Sequence, residues 1–252
     1  MKRTTLKLTL ALLLSVCTLA GCGDSSSSKK SEKKSKPETT TVAEEKTEEQ
    51  KTTVKDNGGS NASNVAEGTD FKRGVVENNV YTNEFAGFKL SVPDEWKFLD
   101  DDTIQKMMNM GADATYSSNA DAVKDIVNQT TINDAVCMNS KTNQSVTITF
   151  ENLNKSIVLS TDTTAEDYFK IADRQFAVVP NVKYTKEEGP ETVTLGGKEY
   201  IRAIYSVEYS GVSYKQSYYI ARVGDFMNVV AVTSYDPDED IAAFESYFSA
   251  ID

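Results

Sequence analysis

Few side chains in this 252-residue sequence are equipped for covalent or acid–base chemistry. Histidine, the commonest acid–base group near neutral pH, is absent. The candidate nucleophiles are three cysteines, Cys17, Cys22 and Cys137. Cys137 lies far from the other two, between Val136 and Met138. It has no partner for an internal disulfide and no histidine to activate it, so it reads as a small buried hydrophobe. Cys22 differs. It follows Leu19-Ala20-Gly21, at the end of an apolar run.

The acidic runs are the candidate metal ligands. Asp236-Pro237-Asp238-Glu239-Asp240 has the spacing of oxygen ligands in a calcium loop. The sixth position, where a glycine is needed, is Ile241, and the twelfth is Tyr247 in place of a bidentate Glu. Asp236 as a helix N-cap, followed by Pro237 and Glu239, is the better reading, and it predicts a C-terminal helix with Ile241, Phe244, Phe248 and Ile251 on one face. Asp100-Asp101-Asp102-Thr103 likewise reads as the start of a helix through Met110, its carboxylates facing unsatisfied N–H groups. No metal and no cofactor is implied. Phosphate-binding, dinucleotide-binding and serine-nucleophile motifs are absent from the sequence. Tyr205, Tyr209, Tyr214 and Tyr218 are candidates to line a ligand or glycan groove, against their ordinary use in sheet packing.

The elements around Cys22 give it meaning. Lys2, Arg3 and Lys7 form a basic start, and Leu8–Leu19 is an apolar run of twelve residues. A membrane-spanning helix needs about 20 residues, so this run fits an export signal instead. The whole, ending in Leu19-Ala20-Gly21-Cys22, resembles the lipobox of bacterial lipoproteins. The resemblance implies removal of residues 1–21 and lipid attachment to Cys22, with acyl chains enough for stable anchoring. Residues 22–70 are then a tether, rich in Ser, Lys, Glu and Gly and almost without apolar side chains, so nothing offsets the entropy of ordering them. Flexible chain of that length reaches roughly 35–40 Å. Five lysines fall within residues 29–36, beside the anchor.

Residues 71–252 are expected to form one domain. They carry 16 Lys and Arg against 28 Asp and Glu, a balance that phosphate backbones and anionic surfaces repel, so nucleic acid is excluded as a partner. Phe88, Leu90 and Val92 alternate as in a strand, and Val146, Ile148 and Phe150 do the same. Thr163-Thr164-Ala165-Glu166 has the pattern of a capping box before a helix running to about Val178. Residues 111–128 are polar, with a short helix expected at Ala120–Asn128. Strands at Glu191–Leu195, Lys198–Tyr209, Val212–Val223 and Phe226–Tyr235, parted by Gly196-Gly197, Ser210-Gly211 and Gly224-Asp225, predict a meander. The last of these is apolar on both faces and should be covered on both.

Tyr81-x-Asn83-x5-Phe88-x-Leu90-x-Val92-Pro93-x2-Trp96 resembles the opening of the PsbP/DcrB-like superfamily. That resemblance implies an α+β fold, an α/β/α sandwich around an antiparallel, meander-rich sheet. The superfamily includes photosystem accessory proteins, a Ran-binding import cofactor and many bacterial lipoproteins, and no shared catalytic residues travel with it. The expected function is a non-enzymatic binding or accessory domain, lipid-anchored through Cys22, facing outside the cytoplasm and meeting an envelope protein or polymer. The alternatives are a carboxylate-dependent envelope hydrolase and a small-molecule or glycan receptor.

Overall fold

The computed structural model describes residues 61–116 and 119–251. The leader, Cys22 and the tether up to residue 60 lie outside the described residues. The fold is α+β, with two antiparallel sheets. No helix among the described residues is long and apolar enough to cross a membrane.

The larger sheet has seven strands: β4 (Lys97–Phe98), β5 (Thr131–Asn139), β6 (Gln144–Asn152), β7 (Val182–Leu195), β8 (Lys198–Tyr209), β9 (Val212–Val223) and β10 (Phe226–Ser234), in the order β4-β5-β6-β10-β9-β8-β7. β7 to β10 form the expected meander. Its first turn needs two residues at positive φ, and Gly196 (φ 56°) and Gly197 (φ 78°) supply them. β10 sits at the centre, and every residue in it is buried. β7 begins at Val182, nine residues before the expected start, because exposed residues such as Lys183, Thr185 and Lys186 pair along β8 without showing apolar alternation. As an edge strand it carries two register shifts and Pro190, which protect it against pairing with other chains.

Helical elements cover both faces. On one lie α2 (Asp101–Tyr116), α3 (Ala120–Thr130) and α4 (Ala165–Phe176). α4 buries Tyr168, Phe169, Ala172 and Phe176 against Ile201, Ala203, Tyr205 and Val207 of β8, among others. α2 and α3 enclose Ile104, Met108, Ala112, Val123 and Val127 around Val136 of β5. The segment 111–128 is therefore mostly helical, and α2 continues through Gly111, which is buried.

The other face carries a short helical turn, α1 (Ala62–Val65), a seven-residue 3-10 helix (Ile241–Tyr247) and a four-stranded sheet. That sheet has the order β1 (Val75–Glu77), β2 (Val80–Asn83), β3 (Phe88–Ser91) and β11 (Phe248–Ala250). Its Tyr81, Phe88 and Leu90 pack on Ile148, Phe150, Phe226 and Val230 of the larger sheet. Trp96 is buried edge-on against Phe244 (5.7 Å between ring centroids) and Tyr247 (6.2 Å).

Two helix starts shift by local geometry. α4 is capped by Thr164, whose hydroxyl accepts from Asp167 N at 3.1 Å, one residue later than the expected box. Thr163 is buried, and its hydroxyl instead accepts from Ser160 N at 3.0 Å. The expected C-terminal helix is the 3-10 helix followed by β11. Asp240 caps it, accepting from Ala242 N at 3.1 Å, while Asp236 closes a turn with Asp238 N at 2.9 Å. Phe248 leaves the helical stripe because it pairs with Leu90, extending the small sheet.

The packed body also reaches back past residue 71. Val65 is fully buried, and Asn61 donates to the carbonyls of Asn128 and Thr131, both at 2.8 Å. Asn152 donates to Val65 O at 2.7 Å. Phe71 then places its ring 5.0–5.2 Å from Phe85, Phe150 and Phe226. Residues 61–74 are thus a strap across the small-sheet face. Gly74 ends it so tightly that a Cβ there would lie 2.2 Å from Cε2 of Tyr81. Overpacking of this kind costs about 1–3 kcal/mol. Gly74→Ala is expected to lower the urea midpoint accordingly, with an unchanged m-value.

Candidate functional site

The aromatic-Asn pair of the opening motif converges on one carboxylate. β2 alternates, so Tyr81 and Asn83 both point inward, and both are fully buried. They meet Asp134, an extra residue in β5 where the register with β6 slips between Asn133 and Ala135. Such a bulge re-aims one side chain; Asp134 points toward the small sheet, its side chain wholly buried. It accepts from Tyr81 Oη, Asn83 Nδ2 (2.9 Å), Gly74 N (2.8 Å) and Arg73 Nε (3.0 Å). Arg73 in turn forks onto Asp101 at the start of α2, at 2.7 and 2.8 Å, and donates to Asp134 O at 3.1 Å.

The electrostatics of this cluster favour permanence over catalysis. Burial, reinforced by the Asp134 charge, pushes the Tyr81 hydroxyl well above its ordinary range, so it stays a neutral donor. Burial also works against the Arg73 charge, but hydrogen bonding to Asp101 and the two carboxylate charges outweigh it and leave Arg73 more basic than usual. Every strong donor around Asp134 is committed. The motif's residues therefore position the strap, the small sheet and α2 on β5.

The four candidate tyrosines separate. Tyr205, Tyr214 and Tyr218 are buried among the aromatic side chains beneath α4. Tyr205 donates to Asp173 of α4 at 2.8 Å, Tyr218 donates to Gln216 Oε1 at 2.7 Å, and Tyr214 stacks on Tyr235 at 5.3 Å. Only Tyr209 is half-buried, and it borders an open concavity of about 530 Å³. Asn181, Val182, Lys183, Glu208, Ser210, Gly211 and Ser213 complete the lining. Glu208 is its single carboxylate and is paired with Lys183 at 3.0 Å.

The remaining reactive candidates take structural places. Cys137 is fully buried in β5, and burial pushes its thiol far above the ordinary range. Asp100 caps α2, accepting from Thr103 N at 2.7 Å, and that bond lowers its pKa. Glu239 accepts from Gln144 and from Ser234, tying the acidic turn to the sheet. Met108 fills the core beneath α2 while Met110 is exposed. No group of three or more acidic or cysteine side chains is placed to hold a metal ion among the described residues. Sequence reasoning missed Arg73 and Asp134, which stand 61 residues apart with nothing in their local pattern to join them. It also missed the concavity, because its lining comes from three strands and two turns.

No protein-family model matches the chain. No curated protein matches it either. Among solved structures it is similar to the solution structure of cyanobacterial PsbP (CyanoP) from Synechocystis sp. PCC 6803, at 12% identity over 73% of this chain and 96% of that one, with a TM-score of 0.40. It is similar also to LpqN, described as involved in cell envelope biogenesis of Mycobacterium tuberculosis, at 12% identity over 66% and 83%, TM-score 0.36. A structure from Bacteroides thetaiotaomicron VPI-5482 matches at 11% identity over 70% and 50%, TM-score 0.36. The roles given to residues above rest on their own contacts.

The buried groups carry three expected outcomes. Asp134→Ala strands three buried donors and one face of Arg73, and removing one partner of a buried pair costs about 3–5 kcal/mol. Tyr81→Phe, which removes one hydrogen bond to a charged acceptor, should cost about 1.5–3 kcal/mol in the same urea titration. Cys137 should stay unmodified by a thiol reagent in the native protein at pH 8 and react at once in denaturant.

Proposed function

We propose that this chain is an extracytoplasmic lipoprotein whose folded domain is held at a membrane through acyl chains on Cys22 and acts there as a binding or accessory module. The observation that carries the reading is the N-terminal run: a basic start, twelve apolar residues, then Leu19-Ala20-Gly21-Cys22. The length of the apolar run suits a removable signal, and the thiol stands where a lipid is accepted and the chain cut. The partners proposed are membrane lipid through Cys22 and an envelope protein or polymer through the domain.

The domain's own chemistry supports binding over catalysis. Burial raises the pKa of its strongly shifted tyrosines, Tyr81, Tyr184 and Tyr205, so they stay protonated at neutral pH and are poorer proton donors to a reaction. A carboxylate-dependent hydrolase needs two acids facing one cavity, whereas Glu208 is the single carboxylate lining the concavity beside Tyr209.

The test is Cys22→Ala in the producing cell. The native chain should incorporate labelled fatty acid and sediment with membranes. The variant should lose the label and leave the membrane fraction, or accumulate as uncleaved precursor. Equal labelling of native and variant chains would overturn the assignment of Cys22.

A further inference from the structure

The tether joins the domain at one corner, and the concavity occupies the opposite one. Asn61, where the described chain begins, is bonded to Thr131 O at the first residue of β5, and Val65 O is bonded to Asn152 at the last residue of β6. Thr131 pairs with Glu151, Glu151 with Met227 and Met227 with Arg222, so these residues mark one end of the larger sheet. The concavity lies at the other end, where Val182, Tyr209 and Val212 pair across β7, β8 and β9. Ten strand residues separate the two levels, roughly 30 Å, and four strand spacings separate β5 from β8, roughly 19 Å. A domain hung from Asn61 presents this corner away from its anchor.

The lining has a definite chemistry. Lys183 and Glu208 are neighbours on β7 and β8 and neutralise each other at 3.0 Å, so the depression offers no net charge to an ion. Asn181, Ser210 and Ser213 are exposed, and their side chains make no hydrogen bond to other described residues. An amide and a hydroxyl each donate and accept. The rim is fixed by backbone: Asn181 (φ 60°), Ser210 (φ 50°) and Gly211 (φ 82°) are all left-handed, in turns that hold these groups around the depression. Its volume of about 530 Å³ falls within the roughly 300–1,000 Å³ of ligand sites. Its openness suits a chain crossing it better than a small molecule enclosed by it.

We infer that the concavity of Asn181, Lys183, Glu208, Tyr209, Ser210 and Ser213 is a binding site for a neutral polyhydroxylated polymer, a glycan. Vicinal hydroxyls, each a donor and an acceptor, match uncharged groups of the same double character. The internally paired Lys183 and Glu208 add one strong donor and one strong acceptor without selecting for charge. This rests on the reading of the domain as a displayed binding module and names the class of its partner.

The experiment is calorimetric titration of the full-length protein in detergent with neutral hexasaccharides of glucose and of N-acetylglucosamine, and with inorganic phosphate as the anionic probe. Saturable binding of at least one hexasaccharide and none of phosphate is expected. Lys183→Ala with Glu208→Ala should weaken it at least tenfold, and both side chains are exposed (67% and 57%), so the fold should survive. Ser213→Tyr, which fills the depression from a second strand, should abolish binding, and Lys170→Gln on α4 should leave it unchanged. Failure of every hexasaccharide, binding of phosphate alone, or equal binding by the native and concavity-altered proteins would each overturn the inference. Loss of binding in a chain still released by Cys22→Ala would remove the glycan and leave the anchor; binding by a chain that takes no lipid would do the reverse.

Discussion

A single buried carboxylate holds the two halves of this molecule in register. Asp134 sits where β5 bulges, with no solvent contact, and the cost of burying such a charge is several kcal/mol unless its lone pairs are met. Four donors meet them, and they come from the strap, from β2 and from Arg73, which also grips α2. Apolar packing between the two sheets is non-directional and would tolerate sliding. The geometry around Asp134 does not tolerate it. A shift of the small sheet by one residue would turn Tyr81 and Asn83 outward and leave the charge bare.

The same economy recurs across an acidic chain without histidine. Glu151 is buried in β6 and takes Tyr168 of α4 at 3.0 Å and Ser156 of the following loop at 3.0 Å. Glu239 ties the turn before the 3-10 helix to β6 and β10. Glu245 of the 3-10 helix takes Arg202 at 2.8 Å and Tyr219 at 3.1 Å. In each case a carboxylate fastens an irregular segment to a strand. Tyrosine hydroxyls serve as donors in three of these four carboxylate sites, and burial in apolar surroundings keeps Tyr81 and Tyr219 protonated for the purpose. Acids that look available for chemistry in the sequence are thus spent on attachment.

What was legible in the sequence follows from how local its cause is. The meander could be read because Gly196-Gly197, Ser210-Gly211 and Gly224-Asp225 are turns by their own backbone requirements. Central β10 was legible because both its faces are apolar. The cap of α4 slipped by one residue because Thr163 and Thr164 are equally good caps, and burial of the first decides between them. The C-terminal segment misled because Ile241 and Phe244 fit a 3-10 turn as well as an α-helix, and pairing of Phe248 with Leu90, far away in sequence, settles the matter. The strap was hidden for a related reason: Val65 and Phe71 are isolated apolar residues in polar sequence, and only the distant Phe150 and Phe226 make them core. Of the candidate site, the tyrosines could be found by type, but which one reaches solvent depends on where α4 lies.

The strap bears on function through direction. On the proposed anchoring, a pull from the N-terminal side would enter the fold at Asn61, and the bonds there and at Val65 join the strap to α3, β5 and β6, not to an exposed sheet edge that could unzip one pair at a time. A tether ending on β7 would have pulled on the very strands that line the concavity. On the proposed anchoring, attachment through Asn61 at the far end of β5 and β6 would leave Asn181, Lys183, Glu208 and Ser213 out of the path of any pull. A shallow, charge-neutral site gains little from pre-oriented approach and much from being held repeatedly close to a surface, since linkage raises effective concentration without any new contact. The proposed recognition at one corner and the proposed attachment at the opposite one would then be two parts of the same arrangement.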